Sequence, residues 1–197
     1  MRELLIATSR QGKVDEISAL FAGLPFKIIG LADLGIAADV EEVGTTYEAN
    51  ALTKAFIYGK RSGKLTLSED SGFEVDHLGG KPGVFTAEFG AETPDGGCTK
   101  MLEALRDVPE GERGGAARSV IVVYDPTIDK VRMSEGVSLG RVAFESRGTN
   151  GFGMDPIFYY DNGDKTGGEM TTEEKNTVSH RMRAFANLRE ILLKEFV

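Results

Sequence analysis

Short apolar runs, set apart by turn residues and alternating with helical stripes, constrain this chain more than any other feature. Leu4 to Ala7 is one such run, Phe26 to Ile29 a second, Leu65 to Ser68 a third, and the β-branched stretch Ser119 to Tyr124 a fourth. Each is too short for a helix and bounded by turn residues, as buried strands are. Between them Val14, Ile17, Leu20 and Phe21 recur at helical spacing, predicting a helix that starts near Gly12 or Lys13. Tyr47, Ala51, Ala55 and Phe56 share one stripe of a helix from Thr46 to about Arg61. Met101, Leu102 and Leu105 mark a helix ending before Pro109, and Phe185, Leu188, Ile191 and Leu192 a final helix capped by Ser179. From Ala116 to Arg147 the pattern is β, with a turn at Asp125-Pro126 and alternation through Val131, Met133, Glu135 and Val137. This order predicts an α/β fold with a mixed sheet rather than a uniform βαβ series.

At 197 residues the chain is long enough for one domain, or one with two lobes. Lys plus Arg number 23 against 31 Asp plus Glu, a net charge of −8 that argues against a protein coating nucleic acid or anionic membrane. A phosphate ligand would therefore need a local cationic cluster or a metal. Cys98 is the only cysteine, which excludes an intramolecular disulfide and cysteine-based zinc sites. No apolar run approaches the roughly 20 residues that span a bilayer. The opening residues Met1 to Ile6 pass directly into a strand pattern without a signal peptide's apolar core, so the expected compartment is the cytoplasm.

Four segments could carry chemistry. Thr8-Ser9-Arg10-Gln11-Gly12-Lys13 lies between a strand and a helix, where backbone N–H groups, hydroxyls and a lysine suit phosphate. It is not a Walker A loop, and by itself it is equally a solvated turn. Glu69-Asp70-Ser71-Gly72, read as an acidic turn after the third strand, offers adjacent carboxylates that could hold Mg²⁺ or activate a water, or do neither. Gly151-Phe152-Gly153-Met154-Asp155-Pro156 combines a stacking ring, a close-approach glycine and a carboxylate able to accept from base N–H groups. A glycine loop with Phe152 plugged into the core is the other reading. Lys175, His180 and Arg181 sit near a helix start and could bind a polyanion or a purine carbonyl, or be solvated charge. Gly79 to Gly83 reads as a loop, and His77 as structural.

Taken together and in order, these segments resemble the family of inosine/xanthosine triphosphate pyrophosphatases (Ham1-like). The resemblance runs through Ala7-Thr8, Thr46-Tyr47-Glu48-Ala49-Asn50-Ala51, Lys54-Ala55, Asp70-Ser71-Gly72, Leu78 to Val84, Arg147-Gly148, Gly151-Phe152-Gly153, Asp155 to Phe158, Lys165-Thr166, Glu174-Lys175-Asn176 and Ser179-His180-Arg181. It implies a single elongated α/β domain over residues 1–197, with two lobes around a central mixed sheet, a nucleotide cleft between them, and assembly as a homodimer. It implies Mg²⁺-dependent hydrolysis of dITP, ITP and XTP to monophosphate and pyrophosphate. By position, Thr8 to Lys13 hold phosphates, and Asp70 is proton acceptor and metal ligand with Glu69 beside it. Ser71 contacts substrate, Phe152 to Asp155 frame the base, and Lys175, His180 and Arg181 complete the pocket. The chain departs from the family pattern at Arg10 (commonly Asn), Ala49 (Glu), Glu69 (Asp), Glu88 (Arg) and Met154 (Tyr). Ala49 and Glu88 open an alternative, a nucleotide-binding module with weak or lost catalysis.

Overall fold

The structure is a computed structural model that describes residues 1–93 and 95–197. Seven strands form one mixed sheet in the order β2-β1-β3-β5-β6-β7, with β4 added to β3. Their ranges are β1 Arg2–Ile6, β2 Phe26–Gly30, β3 Leu65–Val75, β4 Lys81–Gly83, β5 Gly114–Asp125, β6 Lys130–Val142 and β7 Phe158–Tyr160. The helices are α1 Gln11–Leu20, α2 Tyr47–Ser62, α3 Gly96–Ala104, α4 Thr172–Val178 and α5 His180–Glu195. The chain divides into two compact units, one of Met1–Asp70, Val120–Glu135 and Ala184–Val197, the other of Ser71–Ser119 and Gly136–Arg183.

In the first unit β1 pairs in parallel with both β2 and β3, Leu4 lying opposite Ile28 on one side and Leu65 on the other. A strand paired on both edges inside a sheet reads as an apolar run unless other groups satisfy its polar side chains. Leu4, Leu5 and Ile6 are accordingly buried, as are Val120 to Val123. Parallel neighbours need crossover connections, which α1 and α2 supply. Thr46 caps α2 through Ala49 N at 3.2 Å, and Gly63 ends it at φ 66°. The start of α1 has no such side-chain cap.

The second unit is built on Phe73, Val75, Met101, Leu105, Val142, Ile157, Phe158 and Tyr160. Arg113, 1% exposed, braces one corner. Its guanidinium donates to the carbonyls of Leu105 (2.6 Å), Val142 (3.0 Å) and Ala143 (2.6 Å), and Phe144 lies 4.3 Å from its carbon. Ser179 caps α5 as the sequence suggests, its hydroxyl accepting from Met182 N at 3.2 Å.

Two sequence expectations need correction. Glu69-Asp70-Ser71-Gly72 is not a turn, because β3 runs unbroken from Leu65 to Val75. Thr66, Ser68, Glu69 and Asp70 are all buried, and cations from neighbouring helices satisfy the carboxylates that water would serve in a turn. Gly79 to Gly83 is not wholly a loop either, since Lys81–Gly83 pairs antiparallel with β3, Glu74 opposite Pro82. A strand paired on one edge tolerates proline, because no N–H is needed on the other. His77 lies at the surface, its Nδ1 3.6 Å from the Glu112 carboxylate.

Candidate active site

In the first unit, the ends of β1 and β3 and the starts of α1 and α2 assemble a charged cluster. The segment after β1 holds Thr8, Ser9, Arg10, Gln11 and Gly12, with Arg10 N donating to Thr8 Oγ1 at 3.2 Å. Ser9, Arg10 and Gln11 are exposed, and the uncapped start of α1 leaves N–H groups there for an anion. Lys13, one turn in, is buried and forms a 2.6 Å ion pair with Glu69 Oε2. The expected metal ligand Glu69 is thus engaged with the lysine expected to hold phosphate.

Asp70 lies next along β3, 4% exposed. Its Oδ2 accepts from Asn50 Nδ2 at 3.1 Å, and its Oδ1 is 3.8 Å from Lys54 Nζ. Lys54 also donates to Glu42 Oε1 at 3.0 Å and to the Glu69 carbonyl at 2.9 Å. The Glu42 carboxylate reaches a hydrogen bond with Asp70. Burial pushes the Asp70 carboxyl up to about 6, and the neighbouring Glu42 charge adds to this, against the pull of Lys54, Lys13 and Asn50. Burial also raises Glu42, but Lys54 outweighs it and holds that carboxylate below its ordinary range. Asp70 is therefore the member of the pair that carries the proton first, and a carboxylate poised near neutrality is suited to proton transfer.

Among the described residues no group of three or more His, Cys, Asp or Glu could hold a metal ion. A carboxylate pair is nonetheless enough for Mg²⁺, which keeps waters and binds substrate phosphates alongside one or two protein carboxylates. Asp70 and Glu42 make such a pair. Ala49, exposed at the first turn of α2, offers no ligand, and the carboxylate beside Asp70 is that of Glu42, from the segment preceding the helix. The sequence alone assigns no role to Glu42, Asn50 or Lys54. The signal for two of them was present, since Asn50 and Lys54 are four apart and lie beside the buried Ala51 and Ala55.

In the second unit the glycine loop and the α4–α5 junction form a different cluster. Asp155 is buried, with Oδ1 accepting from Tyr160 Oη at 2.8 Å. Its Oδ2 accepts from Phe152 N and from Lys175 Nζ, both at 2.7 Å. With three donors on its two oxygens and only 2% of the residue exposed, Asp155 holds Lys175 and the loop rather than facing a ligand. The Phe152 ring has Lys175 Nζ at 5.2 Å and the Arg181 guanidinium at 5.5 Å from its centre. Arg181 Nη2 donates to Ser71 Oγ at 3.3 Å. His180 stacks parallel to Tyr160 at 6.1 Å. Gly153 adopts φ 62°, a left-handed conformation natural to glycine, and its carbonyl accepts from Cys98 Sγ at 3.1 Å. Burial raises that thiol to about 11, so it stays a protonated donor. Met154 is buried in the core of this unit rather than exposed to a ligand.

The structure thus brings Thr8 to Lys13, Glu69 and Asp70 together in one unit, and Ser71, Phe152 to Asp155, Lys175, His180 and Arg181 together in the other. The chain matches the model of the Ham1 family over residues 4–191. It is 40% identical over 194 residues to the dITP/XTP pyrophosphatase of Thermoanaerobacter pseudethanolicus, covering 98% of this chain and 97% of that one. It is 37% identical over 194 residues to the dITP/XTP pyrophosphatase of Bacillus subtilis, with 98% of each covered. Among solved structures it superposes on a HAM1 protein from Coxiella burnetii with a TM-score of 0.87 and 34% identity, over 98% of this chain and all (100%) of that one. With the family model matching residues 4–191 and the fold shared with a HAM1 protein, the chain belongs to the Ham1 family.

Proposed function

We propose that this protein hydrolyses the non-canonical purine nucleoside triphosphates dITP, ITP and XTP to the monophosphate and pyrophosphate, removing deaminated purines from the nucleotide pool. The observation that carries this reading is Asp70, a carboxylate buried on β3 between the Asn50 amide at 3.1 Å and the Lys54 ammonium at 3.8 Å. Thr8 to Gly12 offer hydroxyls and the N–H groups at the start of α1 to the triphosphate. Lys13 exchanges the Glu69 carboxylate for a phosphate oxygen. Asp70 takes a proton from the attacking water as its oxygen bonds to the α-phosphorus and the bond to the pyrophosphate oxygen breaks. Mg²⁺, which Asp70 and Glu42 would hold together with the phosphates, supplies charge neutralisation on the triphosphate.

The second unit's residues read the purine. Phe152 offers a ring for stacking, and Lys175, His180 and Arg181 offer N–H donors. A 6-oxo purine accepts from such donors, whereas the 6-amino group of adenine would leave them facing another donor. We also propose that the protein works as a homodimer in the cytoplasm. The apolar side chains Val131, Met133, Leu139 and Phe144, exposed in the single chain, are consistent with association of two copies.

The test is pyrophosphate release from ITP, dITP, XTP and ATP, with Mg²⁺ and with chelator. Release from the first three, at least about tenfold faster than from ATP and abolished by chelator, is the expected result. Absence of release from every purine triphosphate would reject hydrolysis, and tight ITP binding without turnover would establish the binding-module alternative instead.

A further inference from the structure

Asn50 is nearly buried on α2, 4% exposed, yet both ends of its amide are committed. Its Nδ2 donates to Asp70 Oδ2 at 3.1 Å, and its Oδ1 accepts from Gly44 N at 2.8 Å. The first contact reaches β3, and the second reaches the segment 37–46 that carries Glu42. Gly44 leaves no room for a side chain, because a Cβ there would lie 2.4 Å from Asn50 Oδ1 and 3.0 Å from Ala49 Cβ. One helical turn on, Lys54 repeats the same bridge, with Glu42 on one side and the Glu69 carbonyl on the other. Two adjacent rungs on α2 therefore tie the Glu42 segment to the strand bearing Asp70.

We infer that Asn50 is a positioning residue for Asp70: its amide fixes the rotation of the carboxylate while anchoring the Glu42 segment through the side-chain-free backbone at Gly44. An Asp side chain has two χ angles, and with Oδ2 held by Asn50 the other oxygen is left toward Lys54 and any reacting water. Without the amide, the carboxylate can rotate and Glu42 loses one of its two tethers. Displacing a reacting group by about 1 Å costs on the order of a hundredfold in rate, so the loss falls on turnover rather than on substrate affinity.

The inference rests on the proposed hydrolysis, and the experiment separates the two. Steady-state pyrophosphate release from ITP is measured for the wild type, Asn50→Ala, Gly44→Ala, Asp70→Asn and Asn50→Ala/Asp70→Asn. Asn50→Ala should lower kcat by about 10- to 100-fold with KM within about threefold. Gly44→Ala, which leaves the amide in place but displaces it, should give the same pattern to a smaller degree and carries the test if Asn50→Ala does not fold. In the Asp70→Asn background Asn50→Ala should cost far less than it does alone, because the carboxylate it positions is gone and only the tether to Gly44 remains to be lost. Losses that multiply in the double variant, or a raised KM at unchanged kcat, would overturn the positioning role while leaving the hydrolysis intact. A wild type that releases no pyrophosphate would remove both.

Discussion

Asp70→Asn is expected to make the protein more stable and catalytically silent. Folding raises the Asp70 carboxyl from an ordinary 3.8 to about 6, first through burial. Because the folded state holds this proton more tightly than the unfolded chain does, the stability Asp70 contributes is fully present below about pH 4. It is lost as pH rises through about 6. At about 1.4 kcal/mol for each pH unit between the two values, the ionised side chain costs the fold about 3 kcal/mol at neutral pH. Asparagine has nearly the same shape and no charge to bury, and its carbonyl can still accept from Asn50. The attraction of Lys54 at 3.8 Å is already inside that figure, since it acts against burial in setting the value near 6. The net expectation is a stabilisation of about 1–3 kcal/mol at pH 8, or a Tm higher by about 2–10 °C for a chain of this size. Thermal unfolding of both proteins with chelator at pH 4, 6 and 8 measures it, and turnover of ITP should fall by roughly a hundredfold or more. The reasoning fails if the variant is less stable than the wild type at pH 8, or if the difference does not shrink toward pH 4.

The purine-reading cluster gives a contrasting outcome. Lys175→Ala and Arg181→Ala should raise KM for ITP by about tenfold or more while kcat stays within a few-fold, read from initial rates at varied substrate. Asp155→Asn leaves the buried Lys175 ammonium without its carboxylate and should cost about 3–5 kcal/mol, visible as a lower urea midpoint. Glu42→Gln should raise the Mg²⁺ concentration needed for half-maximal activity by about tenfold, and calorimetric titration of the free protein with Mg²⁺ should show the same weakening. Unchanged Mg²⁺ affinity would take Glu42 out of the metal pair.

The parts of the fold set by local pattern were legible. The apolar runs at Leu4, Phe26 and Ser119 became β1, β2 and β5, and the stripe through Tyr47, Ala51 and Ala55 became the buried side of α2. The misreadings share a cause. Glu69 and Asp70 look like solvent-seeking turn residues, and Lys13, Lys54 and Asn50, distant in sequence, make their burial in a continuous strand tolerable, while Arg181 contacts the half-buried Ser71 beside them. Lys81-Pro82-Gly83 has little strand propensity of its own and pairs because β3 presents an edge to it. Asp70 could be picked out from its neighbourhood in sequence, while Glu42 could not, because nothing local says that the segment before α2 folds back toward β3. The carboxylate of Asp155 looked available for a base, and only the structure shows Tyr160, Phe152 and Lys175 already claiming it.

The Arg113 brace carries a consequence for how the second unit responds to solution conditions. Its guanidinium grips main-chain oxygens from the end of α3 and the end of β6, and none of these partners titrates. Mobile ions do not reach a contact sealed from solvent, so concentrated salt that screens peripheral pairs such as Lys165 with Glu174 leaves this corner untouched. The junction should therefore remain folded across acidity and salinity ranges that loosen the surface around it.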